Sequence, residues 1–348
     1  MTKNIYLHIG HFKTGTTALQ TFLHKHRNGL PSHNYAYPLI SRPPRTLRQF
    51  LRAKGETYIN HADLSLTLAK DQGLIPPSWY RQGFDTDSAY RKLYKQINRQ
   101  HADNIIISSE EFIRLALLPQ AEQAIGDLRN RLNGYDVGIV FYIREPYSLL
   151  KSWYNQINKS GKPTRCFPGF FMATKTNFLA QFPIYHHFSK SFGKENVKVL
   201  TYKHSGSDHI REFLSAIGCP LPCPDAAEIV NPSSDGQEVE LQRLAALAAT
   251  GKNELRLTKP PSLEKISTRV DQINRQYSKL EQITDIFTPS LLSCESIFSH
   301  YAELLSYQTD DHPPNAPEQD ILSGFSKNAE SSSPELAAIL KNAAQSCA

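Results

Sequence analysis

The chain has 348 residues, a formal net charge of +6 and 40% hydrophobic residues, which suffices for one large α/β domain or two modest ones. Its basic residues collect only locally, as in Arg42, Arg45, Arg48, Arg52 and Lys54; this suits an anionic small molecule and is too dispersed for a nucleic-acid face. With no run of about 18 apolar residues, no leader pattern and five cysteines (Cys166, Cys219, Cys223, Cys294, Cys347) lacking framework or zinc spacing, the expectation is a cytoplasmic protein with reduced thiols, no transmembrane segment and no metal requirement.

Residues 4–10 read as a buried strand and 16–28 as a helix. Between them run Gly10-His11-Phe12-Lys13-Thr14-Gly15-Thr16-Thr17. A strand, a glycine-bearing turn and a helix N-terminus form a phosphate cradle, because loop amides point inward and the helix dipole adds positive charge. Gly10 and Gly15 keep the G-x-x-x-x-G interval of a Walker A loop, and Thr17 stands at its Ser/Thr position. The lysine is displaced, however: Thr16 occupies its place and Lys13 lies inside the loop. A lysine there sits near a single phosphate, so the cradle suits a short phosphate anhydride better than a triphosphate with its Mg²⁺.

From 30 to 100 the pattern is broken by Pro31, Pro38, Pro43, Pro44, Pro76 and Pro77, with short helical pieces and many Tyr, Trp and Arg between. This loop-rich insertion is either the acceptor side of a site or a covering excursion. A strand follows at 104–108 and runs into Ser109-Glu110-Glu111, then a helix at 119–133 and an apolar strand at 137–143. Arg144-Glu145-Pro146 ends that strand, and Pro146 opens a helix reaching Asn158. Steps of four from Arg144 reach Ser148 and Ser152 on one face, while Leu149, Trp153 and Ile157, with Leu150 and Tyr154 beside them, should pack on the sheet. Another strand is expected at 197–202 after the turn 192–196. Alternation of strands and helices predicts an α/β fold, P-loop-like and doubly wound, with a mainly parallel sheet. One domain is expected over 1–306, and the polar stretch 307–348 reads as a mobile tail with a weak helix near 334–344.

The run Lys13-Thr14-Gly15-Thr16-Thr17, with Leu19-Gln20 following, resembles the 5′-phosphosulfate loop of the PAPS-dependent sulfotransferases, in the K-T-G-T-[ST] form of the bacterial and carbohydrate branches. Arg144-Glu145-Pro146 with Ser152 resembles that family's 3′-phosphate clamp, an Arg at a strand end with a Ser eight residues on. Ser108-Ser109-Glu110 resembles the strand end that carries the catalytic base, with Glu111 as the rival carboxylate. The stretch 192–202 resembles a later strand of the family and implies that Tyr202 stands near adenine; Lys203-His204 departs from its Glu-Asp pair. Asn231-Pro232-Ser233-Ser234 resembles a short bacterial signature.

The resemblance implies PAPS as co-substrate. Lys13 would act on the leaving 5′-phosphate, with Thr14, Gly15, Thr16 and Thr17 holding it. Arg144 and Ser152 would grip the 3′-phosphate, Tyr202 would contact the base, and Glu110 would take the acceptor's proton. The acceptor would be a hydroxyl of a carbohydrate or glycolipid. A P-loop kinase with a displaced lysine and a non-catalytic nucleotide-binding module are the alternatives, and His8, His11 and His61 are the next candidates for a base.

Overall fold

The computed structural model of the chain describes residues 2–42, 58–159, 165–202, 207–223, 243, 261–283, 292–306 and 341. The basic residues Arg45, Arg48, Arg52 and Lys54, the pair Lys203-His204, the stretch 231–234 and, Lys341 apart, the tail 307–348 lie outside them. The described residues divide into two units, 2–144 with 181–223 and 283 and, separately, 145–180 with 243, 261–282, 292–306 and 341.

The first unit is built on a five-stranded, wholly parallel sheet. Its strands are β1 (Asn4–His8), β2 (Tyr35–Ala36), β3 (Asn104–Ser108), β4 (Asp136–Ile143) and β5 (Val197–Thr201), in the order β2-β3-β1-β4-β5. Its helices are α1 (Thr16–Lys25), α2 (Ala62–Asp71), α3 (Thr86–Asn98), α4 (Ile113–Ala116), α5 (Ala121–Arg131), α9 (Phe182–Phe192) and α10 (Asp208–Ile217). The fold is therefore α/β with helices flanking the sheet. The insertion carries more order than its prolines suggest, since α2 and α3 together with β2 fall inside it. Tertiary burial explains this: Ala62 to Ala69 of α2 are all buried, leaving no exposed face to read as periodic.

Alternation along the strands divides the core. Tyr6, Ile106, Val140 and Tyr142 face a layer formed by Leu19, Phe22 and Leu23 of α1 and Ile210, Phe213, Leu214 and Ile217 of α10. Each such side chain contributes roughly 1.5–3 kcal/mol by leaving water. Ile5, Leu7, Ile105, Ile107, Ile139 and Phe141 point the other way and are wholly buried. On the α1 side His8 and Ser108 continue the series.

A buried ion pair ties down the insertion. Arg42 Nε donates to Asp63 Oδ2 at 2.8 Å and Nη2 to Oδ1 at 2.6 Å, with both residues under 5% exposed. Arg42 Nη1 also donates to the Tyr58 hydroxyl and the Arg81 carbonyl, and Tyr80 donates to Asp63 Oδ1 at 2.8 Å. The guanidinium lies 3.7 Å from the Tyr58 ring centroid.

The second unit is helical among its described residues: α6 (Pro146–Asn158), α7 (Phe167–Ala173), α8 (Thr176–Ala180), α11 (Leu263–Tyr277) and α12 (Cys294–Ser306). Glu145 caps α6, accepting from the Tyr147 and Ser148 amides at 2.7 and 2.6 Å, with Pro146 in the first turn. Arg144 thus precedes the helix, and the four-residue count from it does not begin on a helical face. The buried face of α6 also differs from the expected one: Leu149, Leu150 and Tyr154 are fully buried, whereas Trp153 and Ile157 are half-buried. Within this unit Tyr154 meets Phe167 and Phe170 of α7, and Trp153 meets Phe178 of α8. Among the described residues no helix is long and apolar enough to cross a membrane.

Asp63→Ala strands the Arg42 charge inside the protein, so it should cost about 3–5 kcal/mol in chemical denaturation. The double replacement Arg42→Met with Asp63→Leu should cost distinctly less. Equal losses would mean that shape, not charge, sets the role of this pair.

Candidate active site

The cradle sits where the order in which strands are added to the sheet reverses. β1 lies between β3 and β4, and the chain leaves it toward β2 on one side before placing β4 on the other. Ligand crevices of open α/β sheets form at such strand ends. The β1–β4 ladder continues through Ile9, whose amide donates to the Val140 carbonyl at 3.1 Å. The chain then turns at Gly10 with φ +49°, where an added Cβ would stand 3.0 Å from Thr16 Oγ1 and 3.3 Å from the His8 ring. Lys13 and Gly15 are also left-handed, with φ of 65° and 73°. For Lys13 that conformation is strained and must be held by its surroundings.

Two groups of hydrogen bonds contribute to this. Thr14, buried, donates its hydroxyl to the His11 carbonyl at 2.6 Å and accepts from the His11 amide at 3.2 Å. The Thr16 hydroxyl approaches the same carbonyl at 3.4 Å, so Thr14 and Thr16 brace the loop from within, and Thr17 is exposed. The second comes from Arg144, whose Nη1 donates to the Lys13 carbonyl at 2.6 Å. Gly15 caps α1 without a side-chain oxygen on the first amides, and the first turn carries no acid, an arrangement favourable to an anion.

Arg144 is 6% exposed and stacks 5.3 Å from the centroid of Tyr202. The Tyr202 amide extends the β4–β5 ladder by donating to the Ile143 carbonyl at 2.8 Å. Tyr202 and His209 roof over Gly15, where a Cβ would come within 2.9 Å of the Tyr202 ring and 2.7 Å of the His209 ring. The sequence offered no sign of Gln181, which is wholly buried. Its side-chain amide accepts from the Arg144 amide at 2.9 Å and donates to the Arg144 carbonyl at 2.6 Å. The strand end that aims Arg144 is therefore clamped by one residue far along the chain.

On the opposite side of β1, register decides the partners. His8 pairs with Ser108 in the parallel ladder, and His8 Nδ1 lies 2.8 Å from Ser108 Oγ. Two residues on, in the 3₁₀ turn Glu110–Phe112 that follows β3, Glu110 accepts from Gln20 Nε2 of α1 at 3.0 Å. Glu111 turns away, is 2% exposed and pairs with Arg114. Burial pushes the Glu111 carboxyl up, against the pull of Arg114. Tyr37 lies close enough that burial, and then the Glu110 charge, raise its phenol. His61 Nδ1 accepts from the Ser108 amide at 3.1 Å, so Nε2 carries the proton donated to the Pro38 carbonyl at 2.7 Å.

The described contacts thus join Lys13, Gly15, Arg144 and Tyr202 into one cluster and tie Glu110 to the cradle helix through Gln20. Ser152 belongs to the second unit, on α6, where it is half-buried. Among the described residues no group of three or more His, Cys, Asp or Glu side chains could hold a metal ion.

Burial, with help from His209, lowers His8 to about 3, and burial lowers His61 to about 4. Below pH 6.5 the unfolded chain binds protons that these rings refuse in the native state, so stability falls as pH drops from 6.5 toward 4 and below. Each ring contributes roughly 1.4 kcal/mol per pH unit within its window. Urea unfolding followed from pH 7 to pH 5 should show this slope, and His61→Gln should flatten it. A profile that His61→Gln leaves unchanged would contradict the assignment.

No protein-family model matches the chain, and no curated protein does. Among solved structures, the crystal structure of a sulfotransferase from Alicyclobacillus acidocaldarius is similar to this chain at a TM-score of 0.39 and 14% identity, covering 71% of this chain and 94% of that one.

Proposed function

We propose that the protein transfers a sulfuryl group from PAPS to a hydroxyl of a carbohydrate or glycolipid acceptor. The observation that carries this reading is the adjacency of three strand ends in the order β3-β1-β4, bearing Glu110, the Lys13 loop and Arg144. Base, cradle and phosphate-binding cation stand in a row, with the cradle in the middle. The displaced lysine favours a short anhydride over a triphosphate.

In the proposed reaction the acceptor oxygen attacks sulfur in line as its proton passes to the Glu110 carboxylate. The new O–S bond forms while the bond from sulfur to the bridging oxygen of the 5′-phosphate breaks. The electron pair stays on that oxygen, where Lys13 and the amides opening α1 stabilise the charge. Arg144 takes the 3′-phosphate as a guanidinium fork. Ser152 joins it on the strength of the eight-residue interval in the sequence alone. The Tyr, Trp and Arg content of the insertion and its lack of a lipophilic run favour a carbohydrate or glycolipid hydroxyl as acceptor.

A thermal shift with PAP, coupled to labelled-sulfate transfer over glycan and lipid extracts, tests the reading. A shift with ATP·Mg²⁺ and none with PAP would overturn it in favour of a kinase, and PAP binding without transfer in favour of a binding module. Lys13→Ala should lower turnover by about 10²–10³-fold with a much smaller effect on folding. Arg144→Ala should weaken PAP by at least about tenfold while sparing the analogue lacking the 3′-phosphate. Equal losses for both nucleotides would make Arg144 a brace of the Lys13 carbonyl only. Glu110→Gln should retain PAP and lose about 10²–10⁴-fold in turnover, whereas Glu111→Gln should leave turnover per folded molecule nearly intact. Interchanged phenotypes would make Glu111 the base.

A further inference from the structure

Gln20 is 2% exposed on the helix that opens from the cradle, and its side-chain amide is engaged with polar groups. It lies four residues after Thr16, on the same helical face. Its Nε2 donates to Glu110 Oε2 at 3.0 Å and lies 3.4 Å from Ser108 Oγ, while its Oε1 receives Asn60 Nδ2 at 3.5 Å. Ser108 is itself held by His8 Nδ1 at 2.8 Å and by the backbone pairing of β3 with β1. A buried amide with its oxygen turned to Asn60 has only its N–H side to offer the carboxylate. The rotation of α1 about its axis therefore determines where Glu110 Oε2 is anchored.

We infer that Gln20 is a positioning residue for the reaction proposed above: it ties Glu110 Oε2 to the cradle helix and leaves Oε1 as the oxygen that takes the acceptor's proton. The inference rests on that reading of Glu110 as base. One side chain then spans the donor loop and the base, so the helix that holds the 5′-phosphosulfate also sets the base against it. Gln20 touches neither donor nor acceptor atoms. Its loss acts on the step in which the hydroxyl proton moves and not on nucleotide affinity.

The test replaces the amide by an apolar chain of similar length in Gln20→Met, with Gln20→Leu as a second variant. Turnover is expressed per PAP-binding site so that misfolded protein does not count. Gln20→Met should lower kcat by about tenfold to a hundredfold, the loss of one hydrogen bond to a charged group. The donor KM and the PAP affinity should stay within about twofold. In a Glu110→Gln background the same replacement should have little further effect, since no carboxylate remains to be oriented. Parallel losses of PAP affinity and turnover, equal effects in both backgrounds, or failure of both variants to fold would each overturn the role. A Glu110→Gln variant of full activity would instead remove the underlying reading, and the two failures are distinguishable.

Discussion

Everything in the candidate site depends on the parallel register of β1 between β3 and β4. Asn4 to His8 stand opposite Asn104 to Ser108 on one side and Asp136 to Val140 on the other. Because side chains alternate with a period of two, a slip of one residue would send His8 into the opposite core layer and break its pairing with Ser108. The same register ends the three strands at one level, so that a loop, a carboxylate and a guanidinium arrive together. His8 shows how tightly this is specified: its ring is wholly buried between Tyr142 and Phe213, and its Nε2 has no partner among the described residues. Burying that nitrogen carries a desolvation cost, which the surrounding layer of α1 and α10 must outweigh.

The cradle is held from outside as much as by its own sequence. A left-handed lysine is costly, and the Arg144 bond to its carbonyl, with the internal Thr14–His11 ring, over-determines the conformation. Arg144 is in turn fixed through both its backbone groups by Gln181 and through its guanidinium by the Tyr202 ring. A loop and a guanidinium already held in place need little rearrangement when a ligand binds.

The insertion follows a different logic. Arg42 and Asp63 satisfy one another inside a cage of tyrosines, at a desolvation cost repaid by bidentate geometry and further hydrogen bonds. Fixing α2 in this way also places Asn60 and His61, immediately before it, against Gln20 and Ser108. The loop-rich part of the chain is thereby joined to the strand end that carries Glu110.

Contiguous residues specify the local elements of this protein. The strand, turn and helix of the cradle, the displaced Lys13, Pro146 opening a helix and the α/β alternation all depend on spacing over a few residues, where propensity and periodicity act directly. Of the residues expected to be buried on α6, Leu149, Leu150 and Tyr154 are buried and Trp153 and Ile157 only half so; Tyr154 packs on Phe167 and Phe170 of α7, neighbours that periodicity along the chain does not reveal. The pairings that build the site arise only in the folded chain. His8 meets Ser108 across 100 positions, Gln20 meets Glu110 across 90, and Gln181 clamps Arg144 across 37. Such partners are set by strand order and crossover, which bring distant residues within hydrogen-bond range while leaving no periodic trace in the chain.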